Sequence, residues 1–429
     1  MADTIHALAS ARGRAGVAVI RISGPRAEAI CEALVGDVPP PRQAALRKIR
    51  DAHGALIDDA LVLRFAEGHS FTGEPVVELQ GHGGPAIVAA LLSAIAATGL
   101  SRLAEPGEFT RRAFLAGRMD LVQVHGLADA IDAETEAQRI AAMRRTTGDA
   151  SACFATWRAD LLHVAGRLAA AIDFSDEDLP SDVLAEIEGR LIRTRDAIAR
   201  ELSGYEDARA LRDGFHVVLL GRPNAGKSSL INAISHRDAA IVTDVPGTTR
   251  DALEVPVDLG GLPVILTDTA GLRRTQDVVE AIGIERARDR ARDADLRLWL
   301  AEADADLDDP EDGVDLYVRT KADLGPTARG DVLPISTVTG AGIDTLRDRI
   351  VSILETRVAA AGTINRPFEH QALRSASAHI EVALSLLGHS EEEAAEAVHA
   401  ALRDLDRLVG KVDVEAVLGE VFSSFCIGK

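Results

Sequence analysis

Apolar and polar positions follow three rhythms along this chain. Over residues 1–118, short β-rich runs mix with helical stretches. GVAVIRISG (16–24), ALVLRFA (60–66) and PVVELQGHGG (75–84) read as strands bounded by turn residues, and AIVAALLSAIAATGL (86–100) as a buried helix. This predicts an α+β domain. From about residue 119 the apolar positions take helical spacing: Leu121, Val124, Ala128 and Ile131, then Leu161, Val164, Ala165, Leu168 and Ile172. DFSDEDLP (173–180) interrupts the pattern, and a third helix follows through Leu184, Ile187, Leu191, Ile198 and Leu202. At 215 the rhythm becomes strand–turn–helix and holds to about 356. Helices then resume, with Ser390 and Glu393 spaced as a capping box and Gly410 as a stop.

Helices therefore flank an α/β unit on both sides. The economical organisation is one helical domain with a nucleotide-binding unit inserted in its chain; two separate helical domains are the alternative. The expected division is 1–118 for an N-terminal domain, 119–213 and 357–429 for the two parts of the helical domain, and 214–356 for the inserted unit.

Composition narrows the picture. The chain has 429 residues, 47% of them hydrophobic but only 3% aromatic, which favours Leu/Ala-built helical cores. Its net charge of −20 lacks the basic footprint of a protein that grips nucleic acid alone, so any RNA contact is local or supplied by a partner. Cys31, Cys153 and Cys426 are too scattered for a zinc site or a disulfide framework, which fits a reducing cytoplasm. MADTIHALAS has no basic stretch leading into an apolar core, and no apolar run is long enough to span a bilayer; neither a signal peptide nor a membrane span is expected.

The chemistry begins at GRPNAGKS (221–228), which fits G-x-x-x-x-G-K-[ST] between an apolar strand, FHVVLL, and a helix start, SSLINAI. Glycines let the backbone wrap a phosphate and helix N-terminal amides point at its charge. Lys227 would neutralise β/γ-phosphate oxygens and Ser228 would ligate Mg²⁺. DTAG (268–271) follows the apolar run LPVILT; Asp268 would hold Mg²⁺ through water and the Gly271 amide would meet the γ-phosphate. TKAD (320–323) follows another strand, DLYVR, and Asp323 would accept guanine's N–H groups. PISTVTG (334–340) would close over the base. Four such loops at strand carboxyl ends, in this order, resemble the Ras-like GTPases.

Two positions depart from that pattern. Thr320 stands where the base motif usually begins with Asn, which loosens the tie between base loop and phosphate loop. Leu272 follows DTAG where many such enzymes place a water-orienting Gln. Hydrolysis then needs another group or a partner, and Asp277, Glu280 and Glu285 are all candidates, each also readable as a solvated helix charge.

A closer likeness lies in TDVPGTTRD (243–251), DTAGLR (268–273) with EAIGIERA (280–287), and FSSFCIGK (422–429). These resemble the MnmE, or TrmE, family of tRNA modification GTPases. SFTGE (70–74), ELQGHGG (78–84) and PGEFTRRAFLAGRMDL (106–121) strengthen the resemblance, which runs from Thr4 to Lys429. It implies a multidomain α/β fold: an α+β folate-binding N-terminal domain, a helical domain, and an inserted Ras-like P-loop G domain. It also implies a cytoplasmic homodimer working with a FAD-dependent partner of the MnmG type as a heterotetramer. That assembly adds an aminomethyl-type group to carbon 5 of the wobble uridine of certain tRNAs. The partner would carry the FAD and most of the tRNA-binding surface. The implied cofactors of this chain are K⁺, Mg²⁺ and 5-formyl- or methylene-tetrahydrofolate.

The resemblance also assigns residues. Nucleotide contacts would come from Asn224, Ala225, Gly226, Lys227, Ser228 and Ser229; from Thr243, Asp244, Val245, Pro246, Gly247, Thr248 and Thr249; from Asp268, Thr269, Ala270 and Gly271; from Thr320, Lys321, Ala322 and Asp323; and from Ser336, Thr337 and Val338. Potassium would be held by Asn224, Thr243, Val245 and Thr248, in place of an arginine finger, and Mg²⁺ by Ser228 and Thr249. Glu280 matches the catalytic glutamate that orients water. Arg21, Glu78, Arg118 and Lys429 match folate contacts, with Arg118 standing where Lys is frequent; Arg21 and Glu78 also read simply as a strand-end ion pair. Cys426 is a candidate redox or catalytic thiol, although it reads more simply as a packed or accessible cysteine. His82 reads as a loop or core histidine, and the acidic run 301–315 as a solvated loop between two strands. A ribosome-assembly GTPase is the alternative function, although no basic RNA-binding module is visible. A folate-gated scaffold that merely switches on GTP is a third.

Overall fold

The computed structural model describes residues 3–173, 181–222, 224–237, 254–268, 294–302, 313–325, 332–410, and residues 422, 425 and 428. Two compact units emerge: Met1–Ala128 with Asp406–Lys429, and Asp129–Leu405.

The first unit is built on a six-stranded sheet in the order β3-β4-β5-β2-β1-β6. Its strands are β1 (Ile5–Leu8), β2 (Ala15–Ser23), β3 (Ala45–Arg50), β4 (Leu56–Phe65), β5 (Val76–Gly83) and β6 (Arg102–Leu103). All neighbouring pairs are antiparallel except β1 with β6. Helices α1 (Ala27–Val35) and α2 (Pro85–Ala97) bury one face, with Ile20, Ile22, Ile30, Leu79, Leu91 and Ile95 in the core. Pro85 opens α2, where its missing N–H costs no helical hydrogen bond. The other face carries Glu78, Gln80 and His82 of β5, alternating with buried Val77, Leu79 and Gly81 as strand period demands. Across that face Leu46 lies opposite Leu61, and Leu61 opposite Gln80, with Leu46 65% and Leu61 43% exposed.

The expected strands are present, with the second beginning at Leu56 rather than 60. His82 is neither in a loop nor in the core. It sits in β5 with its side chain 68% exposed, and its Nδ1 lies 2.7 Å from the buried carboxylate of Asp58. Asp58 also accepts the amides of His82 and Asp59. A Cβ at Gly81 would lie 2.5 Å from Asp58 Oδ2, so the glycine makes room for this carboxylate.

Helix α3 (Glu108–Leu115) follows β6 in the first unit. The second unit joins helices to a second six-stranded sheet. Helix α4 (Leu121–Asp132) leads into α5 (Glu136–Thr147), α6 (Asp149–Asp173), α7 (Ser181–Ser203) and α8 (Tyr205–Asp213). A Thr135–Gln138 capping box starts α5 and Gly148, at φ 95°, stops it. After the sheet come helices Ile343–Ala360, Pro367–Leu386 and Glu391–Leu408. The helices before and after the sheet pack together: α7 lies against Pro367–Leu386, and buried Arg145 of α5 pairs with fully buried Glu369 at 2.7 Å. One helical body is thus assembled from two chain segments.

The chain enters and leaves the sheet at one place. The Gly362 amide donates to the Gly204 carbonyl at 3.0 Å, and a Cβ at Gly204 would fall 2.4 Å from the Gly362 nitrogen. Nearby, Arg357 pairs with Asp207 at 2.6 Å and with Asp295 at 2.5 Å, its guanidinium over the Phe215 ring.

The sheet comprises β7 (Phe215–Gly221), β8 (Glu254–Leu259), β9 (Leu262–Asp268), β10 (Leu296–Glu302), β11 (Leu316–Thr320) and β12 (Leu333–Pro334). Its order is β12-β11-β10-β7-β9-β8, parallel except for the β8–β9 hairpin. Parallel strands are covered on both faces and read as continuous apolar runs; Val217, Leu219, Val264, Leu266, Leu298 and Val318 are all buried. Ala301 and Glu302 belong to β10, so the acidic run expected as a loop begins inside a strand. No described helix is long and apolar enough to cross a membrane.

Candidate functional site

Strand β7 lies centrally, with β9 on one side and β10 on the other. Consecutive connections leave it in opposite directions, which opens a crevice at the strand carboxyl ends, the usual ligand position in such sheets. Gly221 ends β7 at φ 135°, where a Cβ would strike the Leu300 carbonyl at 2.3 Å. Only glycine permits that approach. Asn224 at φ 66° and Gly226 at φ 87° then turn the loop before α9 (Lys227–Arg237). Left-handed residues alternating with helical ones aim backbone amides into a concavity suited to an anion, and the first-turn amides of α9 add to it.

Lys227 is buried, its Nζ donating to the Gly221 and Arg222 carbonyls at 2.9 and 3.0 Å. The ammonium is thus held against the loop where phosphate oxygens would replace neutral carbonyls. The Ser228 hydroxyl donates to Asp268 Oδ2 at 2.5 Å. These two oxygens, from α9 and the end of β9, meet at one point, and such an oxygen pair suits a hard divalent cation that keeps most of its water. Ala225 is buried and Ser229 exposed in the same turn.

Thr320 closes β11, with Lys321 beyond it at φ 57° and its Nζ paired with Glu302 at 2.7 Å. The Asp323 carboxylate is exposed, and among the described residues none hydrogen-bonds it. The loop after β12 docks on this segment: the Ala322 amide donates to the Ile335 carbonyl, Ser336 is fully buried, Thr337 is half-buried and Val338 is 85% exposed. Asn224, Ala225, Gly226, Lys227, Ser228, Ser229, Asp268, Thr320, Lys321, Ala322, Asp323, Ser336, Thr337 and Val338 therefore gather at one edge of the sheet. The expected Thr243, Asp244, Val245, Pro246, Gly247, Thr248, Thr249, Thr269, Ala270, Gly271 and Glu280 lie outside the described residues, as do Leu272, Asp277 and Glu285. Of the potassium set only Asn224 is described.

The first unit holds a second cluster. Arg21 and Glu78 are directly opposite on β2 and β5, joined by hydrogen bonds of 2.9 and 3.0 Å from two guanidinium nitrogens to Glu78 Oε1. The guanidinium lies 5.6 Å from the Phe71 ring centre and 5.7 Å from that of Phe109. Phe71 belongs to the 70–74 loop, which buried hydroxyls hold: Ser23 bonds Thr72 and Glu74, both at 2.8 Å. The Arg118 stem reaches the same loop, its Cγ 3.7 Å from a Cβ built on Gly73. The chain end returns here too. A Cβ at Gly428 would lie 2.0 Å from the Leu8 carbonyl, one residue from Ala7, the partner of Arg21 across the β1–β2 ladder. Lys429 and Cys426 lie outside the described residues. The two rings flanking Arg21 escaped the sequence reading, although SFTGE carried one of them and PGEFTRRAFLAGRMDL the other.

A cavity of about 230 Å³ lies elsewhere in the second unit, lined by Gln138, Ala142, Arg212, Asn365 and Arg366 among others. None of the nucleotide-loop residues line it. Among the described residues, no group of three His, Cys, Asp or Glu side chains could hold a metal.

Comparison with known proteins bears on both clusters. A family model described as the GTP-binding protein TrmE N-terminus matches residues 4–118, and one described as the MnmE helical domain matches residues 121–426. A tRNA modification GTPase MnmE of Cereibacter sphaeroides is 50% identical over 433 residues, and one of Roseobacter denitrificans 46% identical over 432; each alignment covers the whole of both chains. Among solved structures, the FeoB G-domain from Methanococcus jannaschii is 24% identical, covering 33% of this chain and 98% of that one, with a TM-score of 0.25.

Proposed function

Because this chain belongs to the MnmE family of tRNA modification GTPases, we propose that its two clusters divide one labour: hydrolysis of GTP in the inserted G domain and one-carbon delivery from a tetrahydrofolate in the N-terminal domain. With a FAD-dependent partner, the product is an aminomethyl-type group on carbon 5 of the wobble uridine of certain tRNAs. The proposed division of the chain is 1–118, 119–213 with 357–429, and 214–356.

In the G domain, the loop amides and Lys227 bind and neutralise the phosphates, Ser228 and Asp268 hold Mg²⁺ (with Thr249), and Asp323 selects guanine. With Leu272 unable to orient water, Glu280 takes that role. Asn224, Thr243, Val245 and Thr248 hold potassium, which supplies positive charge beside the transferred phosphoryl group. In the N-terminal domain the carrying observation is convergence: Arg21, held by Glu78, and Arg118 both approach the 70–74 loop, and Gly428, next to Lys429, packs on Leu8 of the strand beside Arg21. Arginine and lysine suit the glutamate tail of a folate, and a carboxylate suits the donor edge of its pterin. The exposed row of Leu46 and Leu61 on the outer sheet face supports burial against a second copy in a homodimer. A net charge of −20 supports a partner that brings most of the tRNA-binding surface. Cytoplasmic residence follows from the substrate.

The deciding experiment is nucleoside analysis of wobble uridines from cells lacking this protein. The carbon-5 substituent should disappear and return with the wild-type gene; unaltered uridines would refute the reading.

A further inference from the structure

The base loop of this chain begins with a threonine hydroxyl rather than a side-chain amide, and the structure shows where that hydroxyl points. Thr320 is 2% exposed. Its hydroxyl donates to the Ala301 carbonyl on β10 at 3.2 Å. Toward the phosphate loop it presents carbon: a Cβ built at Gly226 would lie 3.7 Å from Thr320 Cβ and Cγ2, and 3.9 Å from Oγ1. Lys321 beside it is likewise turned to β10, with its Nζ on Glu302. Both donors at the head of this loop are committed to the neighbouring strand.

Guanine presents two unlike edges. One carries the N1–H and N2–H donors; the other carries N7 and O6, which only accept. With the donor edge on Asp323 and the phosphates over Gly226, which Thr320 closely approaches, the N7 side of the base would face position 320. Among the described residues, neither side chain at the head of this loop offers that acceptor a free donor. Turning the Thr320 hydroxyl toward N7 would break its bond to Ala301, so the exchange yields no net hydrogen bond.

We infer that Thr320 leaves the acceptor N7 of the guanine base without a side-chain donor, so that the site is indifferent to N7. The inference rests on reading 320–323 as the base loop. It predicts that nucleotides of 7-deazaguanine, which carry C–H in place of N7, bind and turn over as the natural ones do.

Competition calorimetry on the full-length chain with Mg²⁺ tests this, using GDP, 7-deaza-GDP and IDP, which lacks the 2-amino group. GDP and 7-deaza-GDP should agree within about twofold, while IDP should fall by at least about tenfold through its lost bond to a charged carboxylate. Thr320→Asn restores a donor amide; GDP should then outbind 7-deaza-GDP by about three- to tenfold. A wild-type chain that loses more than about threefold on 7-deaza-GDP overturns the inference, as does a Thr320→Asn variant that treats the two alike. IDP binding as tightly as GDP overturns the base-loop reading itself, whatever 7-deaza-GDP does.

Discussion

Arg145 and Glu369 form a buried ion pair at 2.7 Å although 224 residues separate them, and the whole nucleotide-binding segment lies in between. Breaking a buried pair strands a charge in low dielectric, which costs about 3–5 kcal/mol. Arg145→Ala or Glu369→Ala should therefore lower the denaturation midpoint of the helical body sharply. Arg145→Met with Glu369→Leu should recover part of the loss, since neither charge of the pair is left alone, while the Asn365 and Arg366 amides still lose their acceptor. Equal instability of single and double variants, measured by urea titration, would show that the pair matters through shape alone.

Arg21 should prove essential to tetrahydrofolate uptake. Its guanidinium is held by Glu78 and flanked by Phe71 and Phe109, so its direction is set before any ligand arrives. A charge-assisted bond contributes about 1.5–3 kcal/mol, so Arg21→Ala should weaken 5-formyl-tetrahydrofolate by at least about tenfold in calorimetry. GTP hydrolysis by the same variant serves as the folding control. Undiminished folate affinity would move the one-carbon site away from β2.

Potassium and Glu280 should govern turnover without governing nucleotide affinity. Replacing K⁺ by Na⁺ should slow GTP hydrolysis by on the order of 10³, the lower range for a charge in the arginine-finger position. Glu280→Ala should slow it by about 10²–10⁴, the usual contribution of a positioned acid–base group. Stopped-flow measurement with a fluorescent GDP would expose the opposite pattern, in which binding weakens and the chemical step does not.

The first unit should lose stability in acid in two stages. Burial pushes the His6 imidazole below its ordinary range, with a hydrogen bond at the Arg102 backbone opposing only in part. Burial also works against ionisation of Glu108, but bonds from Arg102, the Glu105 amide and Arg112 prevail and hold that carboxyl below the usual glutamate range. In both cases the folded value is the lower one. Their stability contributions are therefore complete above the unfolded values, about 6.5 for His and 4.3 for Glu. Each is lost as pH falls through the folded value. His6→Gln should flatten the upper stage and Glu108→Gln the lower, read from denaturant midpoints between pH 8 and 3. Identical pH profiles for the wild type and both variants would remove these groups as the cause.

Much of the fold was legible because strong local signals coincided with tertiary need. The run from Leu262 to Asp268 is apolar and β-branched, ends at DTAG, and forms a strand buried on both faces. Helix α5 was not legible: only Ala142 and Arg145 are buried along it, and a buried arginine gives no apolar stripe. Its partner Glu369 is distant in sequence, so the pair could be found only in three dimensions. The nucleotide loops were readable because phosphate binding demands glycine and lysine at fixed spacing. His82 was misjudged because a histidine beside three glycines looks like a turn. What fixes it is Asp58 on the adjacent strand, which no spacing within the motif reveals.

The contact between Gly204 and Gly362 has a consequence for synthesis. On a ribosome adding about 5–20 residues per second, the stretch from Arg145 to Glu369 takes on the order of ten to forty seconds to emerge. Throughout that interval the early helices can pack on one another, but α7 lacks Pro367–Leu386 and Arg145 lacks Glu369, whereas the strands of the intervening sheet are continuous in the chain. Assembly at birth must therefore run from the middle outward, and the last helices to leave the exit tunnel act as the clasp that completes a body begun before the G domain was made.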